Sequence, residues 1–274
     1  MTKLKVLLYF IPSIVYGNTF ISNEHFKIKT DTKRGGAVTS IVYNGTQLID
    51  SNDNGRLLQS AVSYNGLGED CNPTQGGDIS GKKTSKVLLQ KRIRKERILT
   101  MTEMAYWHSS LNDSRCVHKS NLLTTEVSII SPFTILSTIT YQIPDNYNSA
   151  TFEALTGYMN GELSDSIFYD AENKVSHPTG DFIGEQKFPV IHYNKSLTKA
   201  VGVFSPKLPQ NWFGDNVGYG RFFYTFTPVT KFNCVFRENN VKKDESRTFQ
   251  CMTVIGTLDE VKTEIERLTQ LYKK

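Results

Sequence analysis

One polar loop carries side chains that could hold a polar ligand. In the stretch "CNPTQGGD", Asn72, Gln75 and Asp78 supply two amides and a carboxylate, which can form paired hydrogen bonds to neighbouring hydroxyl groups. The two adjacent glycines would let the backbone approach a ligand closely. The alternative is an ordered loop in which these side chains satisfy local backbone groups.

Both tryptophans of the chain lie beside polar residues. Trp107 precedes His108 in "MAYWHSS", and Trp212 precedes Arg221 in "QNWFGDNVGYGRFF". An indole can stack on the apolar face of a sugar ring while its N–H stays hydrated. We therefore expect Trp107 and Trp212 to stack on a ligand, Arg221 to bind hydroxyls or a carboxylate, and His108 to be an acid–base candidate. Core packing of the aromatic rings and a structural role for the histidine are the alternatives.

A third region, from Phe152 to Tyr193, is long, polar and interrupted by glycines and prolines. It contains many carboxylates, but their spacing selects no pair for a hydrolase. Tyr158 joins His108 as a catalytic candidate because a tyrosine can transfer a proton beside a sugar carboxylate. The Asp/Asn-rich "DSNDNG" lacks the bidentate glutamate of a calcium loop, so no metal and no cofactor are predicted.

The elements that must position these residues are mostly strands. Short alternating segments separated by Asn, Gly, Asp and Pro predict an all-β fold, a large antiparallel β-sandwich, and "NG" at Asn44–Gly45 predicts a hairpin. A capping box and apolar residues at steps of three and four predict one closing helix over 257–272. We expect a single domain over 18–274, with a ligand groove on the concave face of a curved sheet.

The first residues predict export. Met1 to Gly17 combines two lysines, an apolar run and small residues at Val15 and Gly17, which is typical of a secretory signal peptide. A buried N-terminal strand is the alternative. The run is shorter than the ~20 residues of a membrane span, and no other run approaches that length. We expect a secreted or periplasmic protein without a membrane span in the mature chain.

Cysteine usage agrees with an oxidising compartment, since four cysteines permit two disulfides. Cys234 and Cys251 lie on either side of a polar turn and are predicted to pair across a hairpin. Cys71 and Cys116 would pair by elimination only. The net charge of +5 includes one basic block, "QKRIRKER", which indicates a charged strand edge rather than nucleic-acid binding.

The stretch "GGAVTSIVYNGTQLIDSNDNGRLLQS" and the closing "VIGTLDEV" before a helix resemble the galactose-mutarotase-like β-supersandwich group, which includes aldose 1-epimerases and sandwich domains of polysaccharide lyases. The resemblance covers about a fifth of the chain. It implies that Arg56 reaches sugar hydroxyls. The His-x-Tyr-Phe-Asn stretch that carries the catalytic acid in aldose epimerases is not matched.

The sequence therefore predicts an exported protein that recognises carbohydrate, as a mono- or polysaccharide, in a sheet groove. Action as a sugar epimerase or a polysaccharide lyase, and a non-catalytic module that binds a glycan or a protein, both remain open. The expected catalytic residues are His108 and Tyr158, and the expected ligand-binding residues are Arg56, Asn72, Gln75, Asp78, Trp107, Trp212 and Arg221.

Overall fold

The structure is a computed structural model that describes residues 17–82, 84–108, 120–209, 218–224 and 229–273. Within these ranges it contains nineteen strands, all paired antiparallel, and one α-helix. The prediction of an all-β fold with a single closing helix is confirmed. The elements are β1 Asn18–Ser22, β2 Phe26–Asp31, β3 Ala37–Tyr43, β4 Thr46–Gln47, β5 Leu58–Tyr64, β6 Pro73–Thr74, β7 Lys86–Arg94, β8 Arg97–Tyr106, β9 Asn121–Ser131, β10 Thr134–Gln142, β11 Tyr147–Met159, β12 Asp165–Asp170, β13 Val175–Pro178, β14 Gly184–Gln186, β15 Val190–Tyr193, β16 Ala200–Phe204, β17 Tyr219–Tyr224, β18 Val229–Val241, β19 Ser246–Gly256 and α1 Leu258–Tyr272, with short 3-10 turns at Thr32–Arg34 and Gly68–Cys71.

The strands form two layers. The first sheet has the order β7–β8–β9–β10–β19–β16–β15–β12–β13. The second sheet has the order β14–β17–β18–β11–β5–β3–β2–β1, and β4 extends its β3 hairpin. Strand β6 pairs with both β5 and β8 and so joins the two layers. Two antiparallel sheets with apolar inner faces are the expected way to bury a core of this size.

The main hydrophobic core lies between the two sheets. Phe152 of β11 and Phe236 of β18 meet Phe249 of β19, with ring centroids 5.1 and 4.4 Å apart. Along the longer strands alternate residues enter this core, as Phe26 and Ile28 of β2 do, in keeping with the two-residue period of a strand. The residues between them therefore point to the outer faces of the sheets, where a binding site can form.

A second cluster packs α1 on the outer face of the first sheet. Val261 and Ile265 of α1 are buried, and a Cβ atom at Gly202 of β16 would lie 2.8 Å from each of their side chains. Glycine at this position lets the helix approach the sheet closely. The predicted capping box is present, since Thr257 accepts from the Glu260 N–H and the Glu260 carboxylate accepts from the Thr257 N–H.

The predicted hairpin at Asn44–Gly45 is confirmed. Tyr43 pairs with Thr46 across it, and both turn residues have positive φ angles of 46° and 75°. These angles belong to the two-residue turn that follows the right-handed twist of its strands. The basic block covers the end of β7, the turn after it and the first residue of β8, and β7 forms one end of the first sheet among the described strands.

The predicted disulfide between Cys234 and Cys251 is not formed, because both are buried free thiols. They share a side-chain hydrogen bond, yet β18 belongs to the second sheet and β19 to the first, so the turn joins the layers and does not close a hairpin. Cys71 is disulfide-bonded. Cys116, its predicted partner by elimination, lies outside the described residues, as does the predicted signal peptide apart from Gly17.

Candidate functional site

A cavity of about 360 Å³ opens on the outer face of the second sheet. Four neighbouring strands, β5, β11, β18 and β17, supply its floor, and the segments before β5 and β6 and after β8 supply its walls. Sites of ~300–1,000 Å³ are typical for small ligands. The lining residues are Asp53, Gly55, Arg56, Gln59, Ala61, Asn72, Thr74, Ile79, Trp107, His108, Glu153, Thr156, Tyr158, Tyr224 and Lys231.

A β-bulge in β11 aims three of its side chains into the cavity. The register with β18 shifts between Glu153 and Leu155, which inserts Ala154 as an extra residue. Because side chains alternate faces along a strand, the extra residue brings Glu153 onto the same face as Thr156 and Tyr158. Bulges of this kind are common beside active sites because they re-aim a side chain.

An ion pair lies on the floor of the cavity. Lys231 Nζ is 3.2 Å from Glu153 Oε2, and the exposed fractions of the two side chains are 8% and 24%. Burial alone lowers the pKa of Lys231, but the Glu153 carboxylate, with Tyr158 and Tyr224, reverses that effect and raises it above its ordinary value. Lys231 therefore stays cationic at neutral pH and cannot act as a base.

Two tyrosines flank this ion pair. Tyr158 lies directly opposite Lys231 across the β11–β18 ladder, and the lysine Nζ is 5.3 Å from the Tyr158 ring centroid. The Tyr158 and Tyr224 rings stack, with centroids 6.2 Å apart. Burial raises the pKa of Tyr158 above its ordinary value despite the opposing effect of Lys231. The Tyr158 hydroxyl thus stays protonated and can donate a hydrogen bond or a proton.

Trp107 and His108 form one wall immediately after β8. A Cβ atom at Gly55 would lie 1.9 Å from the Trp107 ring, so the indole rests directly on this glycine. The backbone N–H of Trp107 donates to the Asn72 carbonyl at 2.9 Å, and the Trp107 carbonyl accepts from the backbone N–H of Ile79 at 3.0 Å. The His108 ring stands edge-on to the indole, with centroids 5.8 Å apart. These contacts fix an aromatic surface at the mouth of the site.

Arg56 and Asn72 also line the cavity, next to the residues that Trp107 contacts. Arg56 Nε lies 2.8 Å from Asp53 Oδ2 and 3.2 Å from Asp50 Oδ2, so two carboxylates orient the guanidinium. Asn72 Oδ1 is buried and has no hydrogen-bond partner within the described residues. A buried amide oxygen without a partner is costly, and a ligand donor would satisfy it.

Five of the predicted site residues meet in this cavity: Arg56, Asn72, Trp107, His108 and Tyr158. They come from four distant parts of the chain, so their spacing in the sequence could not show that they lie together. Trp212 lies outside the described residues.

The structure corrects the predicted placement of Gln75, Asp78 and Arg221, because none of the three lines this cavity. Gln75 is 3% exposed and donates to the Gly35 carbonyl, and Asp78 is 1% exposed and accepts from the Ser80 N–H. Asp78 satisfies a local backbone group, as the alternative interpretation of "CNPTQGGD" expected, whereas Gln75 ties the loop to the distant Gly35 and Thr125. Arg221 lines a different cavity, because its side chain reaches Ser166 of the first sheet.

Sequence reasoning missed Glu153, Lys231 and Tyr224. All lie within strands that read as ordinary alternating segments, and the β11 bulge reverses the face on which Glu153 is found. The signal that could have found them is a charged residue inside an otherwise apolar strand, as in "KFNCVF" for Lys231. Such residues are seldom buried unless they are paired.

Two further classes of site were searched in the described residues. They contain no group of three or more His, Cys, Asp or Glu side chains that could hold a metal ion. None of their helices is long and apolar enough to cross a membrane.

Neither a protein-family model nor a curated protein matches the sequence. Solved structures do match the fold. The galactose mutarotase related enzyme from Lactobacillus acidophilus has a TM-score of 0.51 and 11% identity, over 88% of this chain and 98% of that one. A Synechocystis protein has a TM-score of 0.50 and 10% identity, over 88% and 96%. A galactose mutarotase-like protein from Clostridium acetobutylicum has a TM-score of 0.46 and 8% identity, over 88% and 95%.

At these identities the likeness concerns the fold alone. For the Lactobacillus and Synechocystis proteins it extends over nearly the whole length of those structures and over 88% of this chain. Together with the two-layered sheet topology and the closing helix, it confirms the predicted resemblance: this chain has the galactose-mutarotase-like β-supersandwich fold.

Proposed function

We propose that this protein binds a carbohydrate in the cavity on the outer face of its second sheet. The observation that carries the proposal is the convergence of an aromatic wall, Trp107, with an arginine, Arg56, and an ion pair, Glu153–Lys231, around one space of about 360 Å³. Sugar recognition needs this combination, since a pyranose presents an apolar face to an aromatic ring and hydroxyl groups to charged and amide side chains.

The charges in the cavity favour a neutral sugar over a uronate. Arg56 contacts two aspartates and Lys231 contacts Glu153, so each cation already has a carboxylate partner. A sugar carboxylate would compete with these partners and would add a fourth negative charge to Asp50, Asp53 and Glu153. Hydroxyl groups can instead donate to the carboxylates and accept from the cations at the same time.

The same groups support proton transfer at the sugar, which is the enzymatic form of the proposal. Glu153 is the proton acceptor, because Lys231 is held cationic and Tyr158 is held as a neutral phenol. Tyr158 or His108 is the donor, and the Lys231 ammonium stabilises an oxyanion that forms on the substrate. With a neutral sugar, this arrangement fits epimerisation at the anomeric carbon better than elimination beside a carboxylate.

Proton balance in such an epimerisation is simple. Glu153 removes the proton of the anomeric hydroxyl as a donor protonates the ring oxygen, and the ring C–O bond breaks to give an open-chain aldehyde. Rotation about the C1–C2 bond and reversal of the two proton transfers close the ring with the opposite anomeric configuration. The net reaction consumes no co-reactant.

Export is proposed on the sequence pattern of Met1 to Gly17. If the segment is removed in the cell of origin, the mature protein begins at Asn18. Mass spectrometry of the protein collected outside the cytoplasm checks this start, and an intact Met1 would contradict it.

The experiment that tests the function has two stages. Isothermal titration calorimetry with a panel of neutral mono- and oligosaccharides measures binding. NMR of a freshly dissolved pure anomer measures the rate of anomer exchange. We expect binding that weakens at least tenfold in Trp107→Ala and exchange that is lost in Glu153→Gln. Binding without accelerated exchange would support the non-catalytic module, and the absence of binding to every sugar would contradict the proposal.

A further inference from the structure

We infer that a second cavity, on the side of the molecule formed by β12, β13 and β17, is a binding site for an oxyanion, which Arg221 recognises. This cavity has a volume of about 370 Å³ and shares no lining residue with the first. The inference concerns a separate site and does not depend on the proposed function. Its lining residues are Ser164, Asp165, Ser166, Ile167, Ser176, Pro178, Thr179, Gly180, Tyr193 and Arg221.

The Arg221 side chain runs from one sheet to the other. Its Nε donates to Ser166 Oγ at 3.1 Å, and one Nη donates to the Phe182 carbonyl at 2.7 Å. Ser166 Oγ is itself 3.0 Å from Thr179 Oγ1. These contacts engage Nε and one Nη of the guanidinium.

Arg221 is a buried cation without a carboxylate partner in the described part of the chain. Its exposed fraction is 7%, and the two contacts named above are neutral. Two other buried charges are paired with an opposite charge, since Lys231 contacts Glu153 and Glu264 contacts Arg267.

An uncompensated buried charge is unfavourable, and proteins normally pair it. Burial lowers the pKa of Arg221, and Asp181 opposes this effect only as a nearby charge. His192, the neighbour of Ser166 across the β12–β15 ladder, is buried and near enough to Arg221 for the guanidinium to lower its pKa. A bound anion would supply the missing negative charge.

Arg221 is the main group of the cavity that suits an oxyanion, because the guanidinium fork is the preferred protein partner of carboxylate, sulfate and phosphate. Ser176 adds a hydroxyl group that can donate to an anionic oxygen, whereas the hydroxyls of Ser164 and Thr179 already donate to Asp165 and to the Ser166 carbonyl. Asp165 also lines the cavity and disfavours an anion on its own side. The anionic group should therefore bind at the Arg221 end, while Asp165 can accept from hydroxyl groups of a larger ligand.

The test uses the full chain and isothermal titration with sodium sulfate, sodium acetate and glucuronate, with chloride adjusting all samples to one ionic strength. We expect saturable binding of sulfate in the wild type. Arg221→Gln should weaken it at least tenfold. Because that change could disturb folding, the exposed rim residue gives a second variant, Ser176→Asp, whose added carboxylate should weaken sulfate binding to a similar degree.

Arg56→Gln, in the first cavity, is the matched control and should leave sulfate binding unchanged. Glucuronate that binds more tightly than acetate supports a sugar-borne carboxylate as the ligand, and equal affinities support recognition of the oxyanion alone. The inference is overturned if sulfate shows no saturable binding, or if wild type and Ser176→Asp bind it equally. Loss of sugar binding in the first cavity would leave these results unaffected, so the two proposals fail independently.

Discussion

Lys231 of β18 and Glu153 of β11 place opposite charges 3.2 Å apart on the floor of a cavity whose lining also includes Trp107, Asn72 and Arg56. The pair depends on the bulge at Ala154, which turns the Glu153 carboxylate outwards from the core side of its strand. Glu153 and Lys231 therefore contribute to the stability of the fold and, in the proposed function, to proton transfer.

Glu153→Gln should destabilise the fold and abolish proton transfer together. The variant leaves Lys231 mostly buried without its counter-charge, and we expect a loss of about 2 kcal/mol in the free energy of unfolding, less than for a fully buried pair because Glu153 is partly exposed. Urea denaturation measures the loss. Glu162→Gln, which breaks the more exposed pair with Lys199, is the control and should cost below about 1 kcal/mol. Equal losses in both variants would show that the cavity pair is an ordinary surface contact.

Gly55→Ala should displace the Trp107 indole. The new methyl group would lie 1.9 Å from the ring, so the indole must move away from the cavity wall. We expect sugar affinity to fall at least tenfold and the tryptophan emission to change. Gly66→Ala is the control, since its positive φ of 70° strains an alanine while no atom lies within 4 Å of the added carbon. A similar loss of affinity in both variants would argue against a role for the indole.

Asn72→Ala should weaken ligand binding with little effect on stability. Its Oδ1 has no partner within the described residues, so its removal leaves no protein donor unsatisfied. One neutral hydrogen bond contributes ~0.5–1.5 kcal/mol, which corresponds to a two- to tenfold loss of sugar affinity. Asn194→Ala should show the reverse, because Asn194 bonds Ser196, Thr198 and the Lys199 N–H far from the cavity. A large drop in the melting temperature of Asn72→Ala would contradict this assignment.

His192 should make the protein sensitive to acid. Burial, with the Arg221 guanidinium, lowers the pKa of His192 from 6.5 to about 3. Between pH 6.5 and 3 the histidine is protonated in the unfolded state but not in the native state. The contribution of His192 to the free energy of unfolding is therefore complete above pH 6.5 and is lost as the pH falls towards 3.

Urea denaturation between pH 6.5 and 5 measures this pH-dependent loss of unfolding free energy with little interference from carboxylates. The slope from one histidine is at most ~1.4 kcal/mol per pH unit, and His192→Phe should remove it. His25→Gln, at an exposed position, should keep the wild-type slope. An unchanged slope in His192→Phe would assign the acid sensitivity to other groups.

The fold was predictable because its signals are local. The Asn44–Gly45 turn, the Thr257–Glu260 capping box and the strand alternation each act within a few residues, and each is confirmed. The disulfide prediction failed for a non-local reason. The turn after β18 carries the chain from the second sheet to the first, and sequence symmetry about a turn cannot distinguish that path from a hairpin.

The site was predictable only in part. Trp107 stands out because an indole beside a histidine can stack on a sugar ring, and Arg56 was expected from the resemblance to the mutarotase-like group. Glu153 does not, because its orientation depends on a one-residue bulge that the surrounding sheet imposes. Arg221 was recognised as a ligand-binding candidate, yet only the tertiary structure shows that it belongs to a different cavity.

The most direct test of carbohydrate binding is the indole N–H signal of Trp107 in a two-dimensional ¹H–¹⁵N NMR spectrum. The chain has two tryptophans, so Trp107→Phe assigns the two indole signals. We predict that a neutral sugar from the binding panel shifts the Trp107 signal in a saturable way, with the same dissociation constant as the calorimetric titration. An unmoved Trp107 signal at a sugar concentration that saturates the calorimetric titration would contradict the assignment of this cavity as the sugar site.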